Sequence, residues 1–70
     1  MAVTEETRKK LVDALLAAAK AAYEHAAALK AEGARSSPHD ASYLYADSSL
    51  AFCDAVRLRS IAASYGGPRS

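Results

Sequence analysis

Gly33-Ala34-Arg35-Ser36-Ser37-Pro38-His39-Asp40 sits near the middle of a 70-residue chain and punctuates it. Glycine tolerates the left-handed conformation in which many helices end, so Gly33 reads as a terminator. Ser37-Pro38 reads as a start. A serine hydroxyl accepts from the free N–H groups of a first turn, and proline loses no hydrogen bond at the first helical position. Asp40, three residues after Ser37, is the aspartate counterpart of a capping box. These signals predict a helix over about 5–32, a loop over 33–37 and a second helix over about 38–65.

Upstream, the chain is rich in alanine, the strongest helix former. Eighteen alanines occur in all, most of them between Ala14 and Ala34. Thr4 is a fitting N-cap, and Glu5 and Glu6 place negative charge where the helix dipole favours it. Glu5–Lys9 and Glu6–Lys10 have the spacing and orientation of supporting ion pairs, and Lys30 suits the last turn. Downstream, no glycine or proline interrupts the pattern until Gly66-Gly67-Pro68, which closes the second helix. Residues 66–70 form a flexible tail. Ser48-Ser49 is a place where that helix would bend.

Two helices of similar length joined by about five residues pack as antiparallel neighbours, so the fold class is all-α, a two-helix hairpin. In helix 1, Leu11, Leu15, Ala18, Ala22, His25 and Leu29 follow the alternating steps of a coiled-coil seam. Val12, Leu16, Ala19, Tyr23 and Ala26 make a second stripe beside it. In helix 2, Leu44, Ser48, Ala51, Ala55, Leu58, Ala62 and Tyr65 follow the same steps, widened by Tyr45, Phe52 and Val56. This is more apolar surface than one partner helix covers. Chains below roughly 70–80 residues usually need a staple, and Cys53, the single cysteine, excludes an internal disulfide. The expected staple is association: two hairpins forming a four-helix bundle, with a homodimer favoured.

Chemistry is sparse. His25 is expected beside Tyr43, Leu44 and Asp47, where it would act as a packed histidine sooner than as a switch or ligand. Asp40, Asp47 and Asp54 recur every seven residues and line one stripe. A ferritin-like carboxylate site would need Glu-x-x-His pairs, and none exists, since Glu24 and His25 are adjacent and point apart. There is no phosphate loop, nucleophile elbow or CxxC, and the chain is too short to form a pocket of roughly 300 Å³ by itself. No cofactor is therefore expected. Cys53 reads as a small core residue.

Net charge of +1 does not by itself predict polyanion binding. The hairpin does bring Arg8, Lys9 and Lys10 toward Arg57 and Arg59, with Arg69 in the tail, giving one basic end suited to phosphate contacts. In architecture, such a dimerising hairpin resembles the plasmid copy-number RNA-binding bundles. No motif is shared, and fold analogy does not establish function. Charged residues interrupt every apolar stretch before it reaches membrane-spanning length. Arg8–Lys10 ahead of Leu11–Ala19 has the outline of a secretory leader, but Glu5, Glu6 and Asp13 argue against one. The expected setting is a reducing cytoplasm. The expected function is a non-enzymatic adaptor, inhibitor or assembly factor working through protein–protein contact. A nucleic-acid-binding bundle and a metal-binding bundle are the alternatives.

Overall fold

A computed structural model describes residues 4–66 of the chain. They form two helices, α1 (Glu5–Ala34) and α2 (Pro38–Ser64), packed as an antiparallel hairpin with no strand among the described residues. The principal extents are 54 × 21 × 13 Å. The molecule is thus two helices wide and one helix deep, so both broad faces are open to solvent.

Both starts form as the sequence predicts. The Thr4 hydroxyl accepts from the Thr7 amide at 3.1 Å, and Thr7 donates its own hydroxyl back to the Thr4 carbonyl at 3.0 Å. Ser37 accepts, more loosely, from the Asp40 amide at 3.4 Å, with Pro38 in the first turn. The end of α1 differs from the prediction. Gly33 is helical and buried, and the helix continues to Ala34, which leaves Lys30 a full turn inside it. Arg35 closes the helix with ordinary right-handed geometry, donating its amide to the Glu32 carbonyl at 3.1 Å. The Ser36 hydroxyl donates to the same carbonyl at 2.8 Å. Space explains Gly33 better than conformation does. A Cβ there would lie 2.7 Å from Cε1 of Tyr45, so the glycine admits the Tyr45 ring from α2. The left-handed glycine is Gly66, with φ of 88°, just past the end of α2. The rest of the predicted tail, residues 67–70, lies outside the described residues.

The contact between the helices is built from small side chains. Among the described residues, Val12, Ala19, Ala26, Ala55 and Ala62 are the buried apolar ones, and none is larger than valine. Ala41, Leu44, Ser48, Ala51 and Leu58 complete the α2 side as half-buried residues. This is the seam read from the sequence, except that Tyr65 is exposed. On α1 the seam is displaced. It runs through Val12, Leu15, Ala19, Ala22, Ala26, Leu29 and Gly33, between the two predicted stripes. Leu11, Ala18 and His25, placed in the seam by the sequence reading, are exposed and flank it. The displacement is about one residue. It trades larger groups for alanines and glycine, which let the two backbones approach.

The helix α2 does not break at Ser48-Ser49. The Ser48 hydroxyl crosses the seam instead and donates to the Ala26 carbonyl at 2.7 Å. At the open end, Arg8 pairs with Glu5 and donates from Nη1 to the Tyr65 carbonyl at 2.7 Å. That bond satisfies a carbonyl left over at the end of α2 and ties the first turn of one helix to the last turn of the other.

Candidate interaction faces

Because the buried part of the seam holds only small groups and its leucines are half-buried, much of the bulk lies beside it. Leu11, Tyr43, Tyr45, Leu50, Phe52, Val56, Ile61 and Tyr65 are each at least 39% exposed. They divide between two sides of the hairpin. At 3.6 residues per turn, Tyr45, Phe52 and Val56 lie on one flank of the α2 seam, and Tyr43, Leu50 and Ile61 lie on the opposite edge.

The first side carries a groove of about 730 Å³ between the helices. Tyr23, Ala26, Ala27 and Lys30 of α1 line it with Tyr45, Ser48 and Phe52 of α2. The prediction that a lone chain could form no such space is corrected: the seam alanines leave a trough that larger residues would have filled. Tyr23 and Phe52 meet edge to face in its wall, with ring centroids 5.4 Å apart. Cys53 lines the rim as an exposed thiol and is no part of a core. A shallower continuation, also lined by Tyr23, is formed by Leu16, Ala19, Lys20 and Arg59. The residues lining these two stretches include three cations, Lys20, Lys30 and Arg59, and no carboxylate. None of the three has an ion pair within 4.0 Å among the described residues.

The opposite edge of α2 has the reverse character. Asp40, Asp47 and Asp54 line it at seven-residue spacing, interleaved with Tyr43 and Leu50 (63% and 65% exposed). Asp54 pairs with Arg57 at 3.7 Å in solvent; Asp40 and Asp47 have no ion pair among the described residues. Tyr43 packs edge to face on His39, one turn earlier in its own helix, at 5.2 Å. His25 stands exposed on α1 and is not a packed residue of the seam.

Three of the five residues predicted for the basic end lie against carboxylates of their own helices. Arg8 is held by Glu5 and the Tyr65 carbonyl, Lys10 lies 4.0 Å from Glu6, and Arg57 pairs with Asp54. Arg59 sits well up the hairpin, beside Leu16 and Lys20. Lys9 alone of the five is at that end without an ion pair among the described residues. Glu5 pairs with Arg8 and not with the predicted Lys9, because the i,i+3 neighbour also bridges to Tyr65. Among the described residues, no three His, Cys, Asp or Glu side chains are grouped so as to hold a metal ion. No helix there is long and apolar enough to cross a membrane.

The sequence reading missed the groove as a unit. Its signal was present: Tyr23, Tyr45 and Phe52 all belong to stripes that the reading left outside the main seam. No protein family, no curated protein and no solved structure matches this chain.

Proposed function

We propose that this chain acts without catalysis, as a helical-hairpin module for protein–protein contact, and that its first partner is a second copy of itself. One observation carries the reading. Among the described residues, the buried core holds nothing larger than a valine, while eight large apolar side chains stand at least 39% exposed around it. Full burial of one such side chain is worth roughly 1.5–3 kcal/mol, so covering several decides whether a domain of this size is stable. A hairpin one helix deep has no third layer of its own to do so. A second hairpin does: two copies bring four helices together, and an apolar flank of one is then covered by the other. The same surface suits an adaptor, inhibitor or assembly factor, because the face left over after self-association remains available to another protein. An exposed lone thiol at Cys53 fits a reducing compartment such as the cytoplasm.

Sedimentation equilibrium on the purified chain tests the proposal. Oligomers that persist at low micromolar concentration are expected. A helical, cooperatively melting monomer at every concentration would overturn self-association.

A further inference from the structure

We infer that a second copy docks its acidic α2 edge into the basic aromatic groove of the first, so that the chain associates head to tail and does not close as a two-fold dimer. The inference rests on the self-association proposed above and specifies which surfaces meet. Its basis is charge complementarity between two exposed surfaces of one molecule.

The groove offers apolar walls from Tyr23, Tyr45 and Phe52, a floor of alanine and serine, and the cations Lys20, Lys30 and Arg59. A small-residue floor admits a helix closely. The matching helix needs exposed apolar residues interleaved with carboxylates. The outer edge of α2 has that pattern: Tyr43, Leu50 and Ile61 alternate with Asp40, Asp47 and Asp54. The lengths agree as well. Asp40 to Asp54 spans about 21 Å at about 1.5 Å per residue. Arg59 lies beside Leu16 and Lys20, so Lys30 to Arg59 spans about 10–14 residues of α1, or about 15–20 Å.

Like-on-like pairing is disfavoured at both surfaces. Two grooves face to face would bring Lys20, Lys30 and Arg59 against their own copies, and two edges would oppose their aspartates, an arrangement that costs free energy wherever water is excluded. Arg57, on the edge beside Leu50, works against docking only weakly because Asp54 already pairs with it. The groove and the edge lie on opposite sides of α2. One contact therefore cannot satisfy both, and each added copy leaves one groove and one edge free. Such heterologous contacts build rings or open chains.

Two variants test this. Phe52→Gln with Lys30→Gln spoils the groove without reversing its charge; Asp47→Lys with Asp54→Lys spoils the edge. All four positions are exposed, so both variants should keep the helical content of the parent, which circular dichroism checks. The parent is expected to grow in mass with concentration beyond a dimer, and to associate about tenfold more weakly at about 1 M salt, where the screening length falls to about 3 Å. Each variant alone should be monomeric. An equimolar mixture should form a complex of two chains and stop there, because each variant supplies the surface that the other lacks. A parent that forms a closed, salt-insensitive dimer, or an edge variant that associates as the parent does, overturns the head-to-tail contact while self-association stands. A parent that stays monomeric overturns both.

Discussion

Along the line where α1 meets α2 the side chains shrink to Ala19, Ala26, Ala55 and Ala62; along both flanks they grow to Tyr23, Tyr45, Phe52, Leu50 and Ile61. Most small helical proteins place bulk at the centre and polarity at the rim. Here the centre works by proximity, with methyl groups and a glycine allowing close backbones, and the apolar area sits where one chain cannot enclose it. The seam therefore fixes the shape of the hairpin but contributes little hydrophobic free energy per residue. The flanks hold most of the large apolar side chains, and the hairpin leaves them in water. Substitutions should separate these roles sharply. Ala19 and Ala55 are 1% and 0% exposed, whereas Ala18, one residue away, is open to solvent. Ala19→Lys or Ala55→Lys forces an ammonium between two backbones and should destabilise by about 3 kcal/mol or more, enough to abolish a cooperative melt. Ala18→Lys should leave the hairpin's thermal melt within a few degrees of the parent. Equal damage at Ala18 and Ala19 would mean that the seam runs elsewhere.

A smaller effect is expected at the hydrogen bond that crosses the middle of the seam. The Ser48 hydroxyl donates to the Ala26 carbonyl at 2.7 Å in partly buried surroundings. Ser48→Ala removes a bond worth about 1 kcal/mol, and alanine's better helix propensity returns a few tenths. The Ala26 carbonyl keeps its bond within the helix ladder, so no buried acceptor is orphaned. A net loss of about 0.5–1 kcal/mol follows, which lowers the melting temperature by about 2–8 °C in a domain this small. A melting temperature that rises instead would show that the bond does not hold the register.

How much of this arrangement was legible in the sequence depended on which helix was read. In α2 the seam was readable because Asp47, Asp54 and Arg57 exclude neighbouring stripes, leaving Leu44, Ser48, Ala51, Ala55, Leu58 and Ala62 as the consistent face. In α1 the pairs Leu11-Val12, Leu15-Leu16, Ala18-Ala19 and Ala22-Tyr23 satisfy two adjacent stripes equally well. Periodicity cannot separate two apolar stripes about one residue apart, and the size of the facing groups decided between them. Both helix starts were legible because a cap is a local hydrogen-bond demand that Thr4 and Ser37 meet on their own. The role of Gly33 was not, because it depends on a ring from the other helix. Among the basic residues, the Glu6–Lys10 pair was legible as an i,i+4 spacing, while the pairing of Arg8 with Glu5 and of Arg57 with Asp54, and the place of Arg59 beside Lys20, were not.

Gly33 sharpens the contrast between seam and flank because it belongs to the first and makes room for the second. In a helix interior, glycine to alanine alone is worth about 1 kcal/mol in favour of alanine. At this position the added Cβ would meet Tyr45 at 2.7 Å, so the ring must swing out of its place beside α1. Tyr45 is 42% exposed and free to move, and it loses packing when it does. The two effects oppose, and Gly33→Ala in the parent should change stability by less than about 0.5 kcal/mol. In a Tyr45→Ala background the obstruction is gone, and the same substitution should stabilise by about 1 kcal/mol. The double-mutant cycle thus predicts a coupling of about 0.5–1.5 kcal/mol between residues twelve positions apart in sequence, measured by urea denaturation of the four chains. A coupling of zero would mean that Tyr45 does not rest on Gly33, and that the glycine marks the end of α1 through its own conformational freedom.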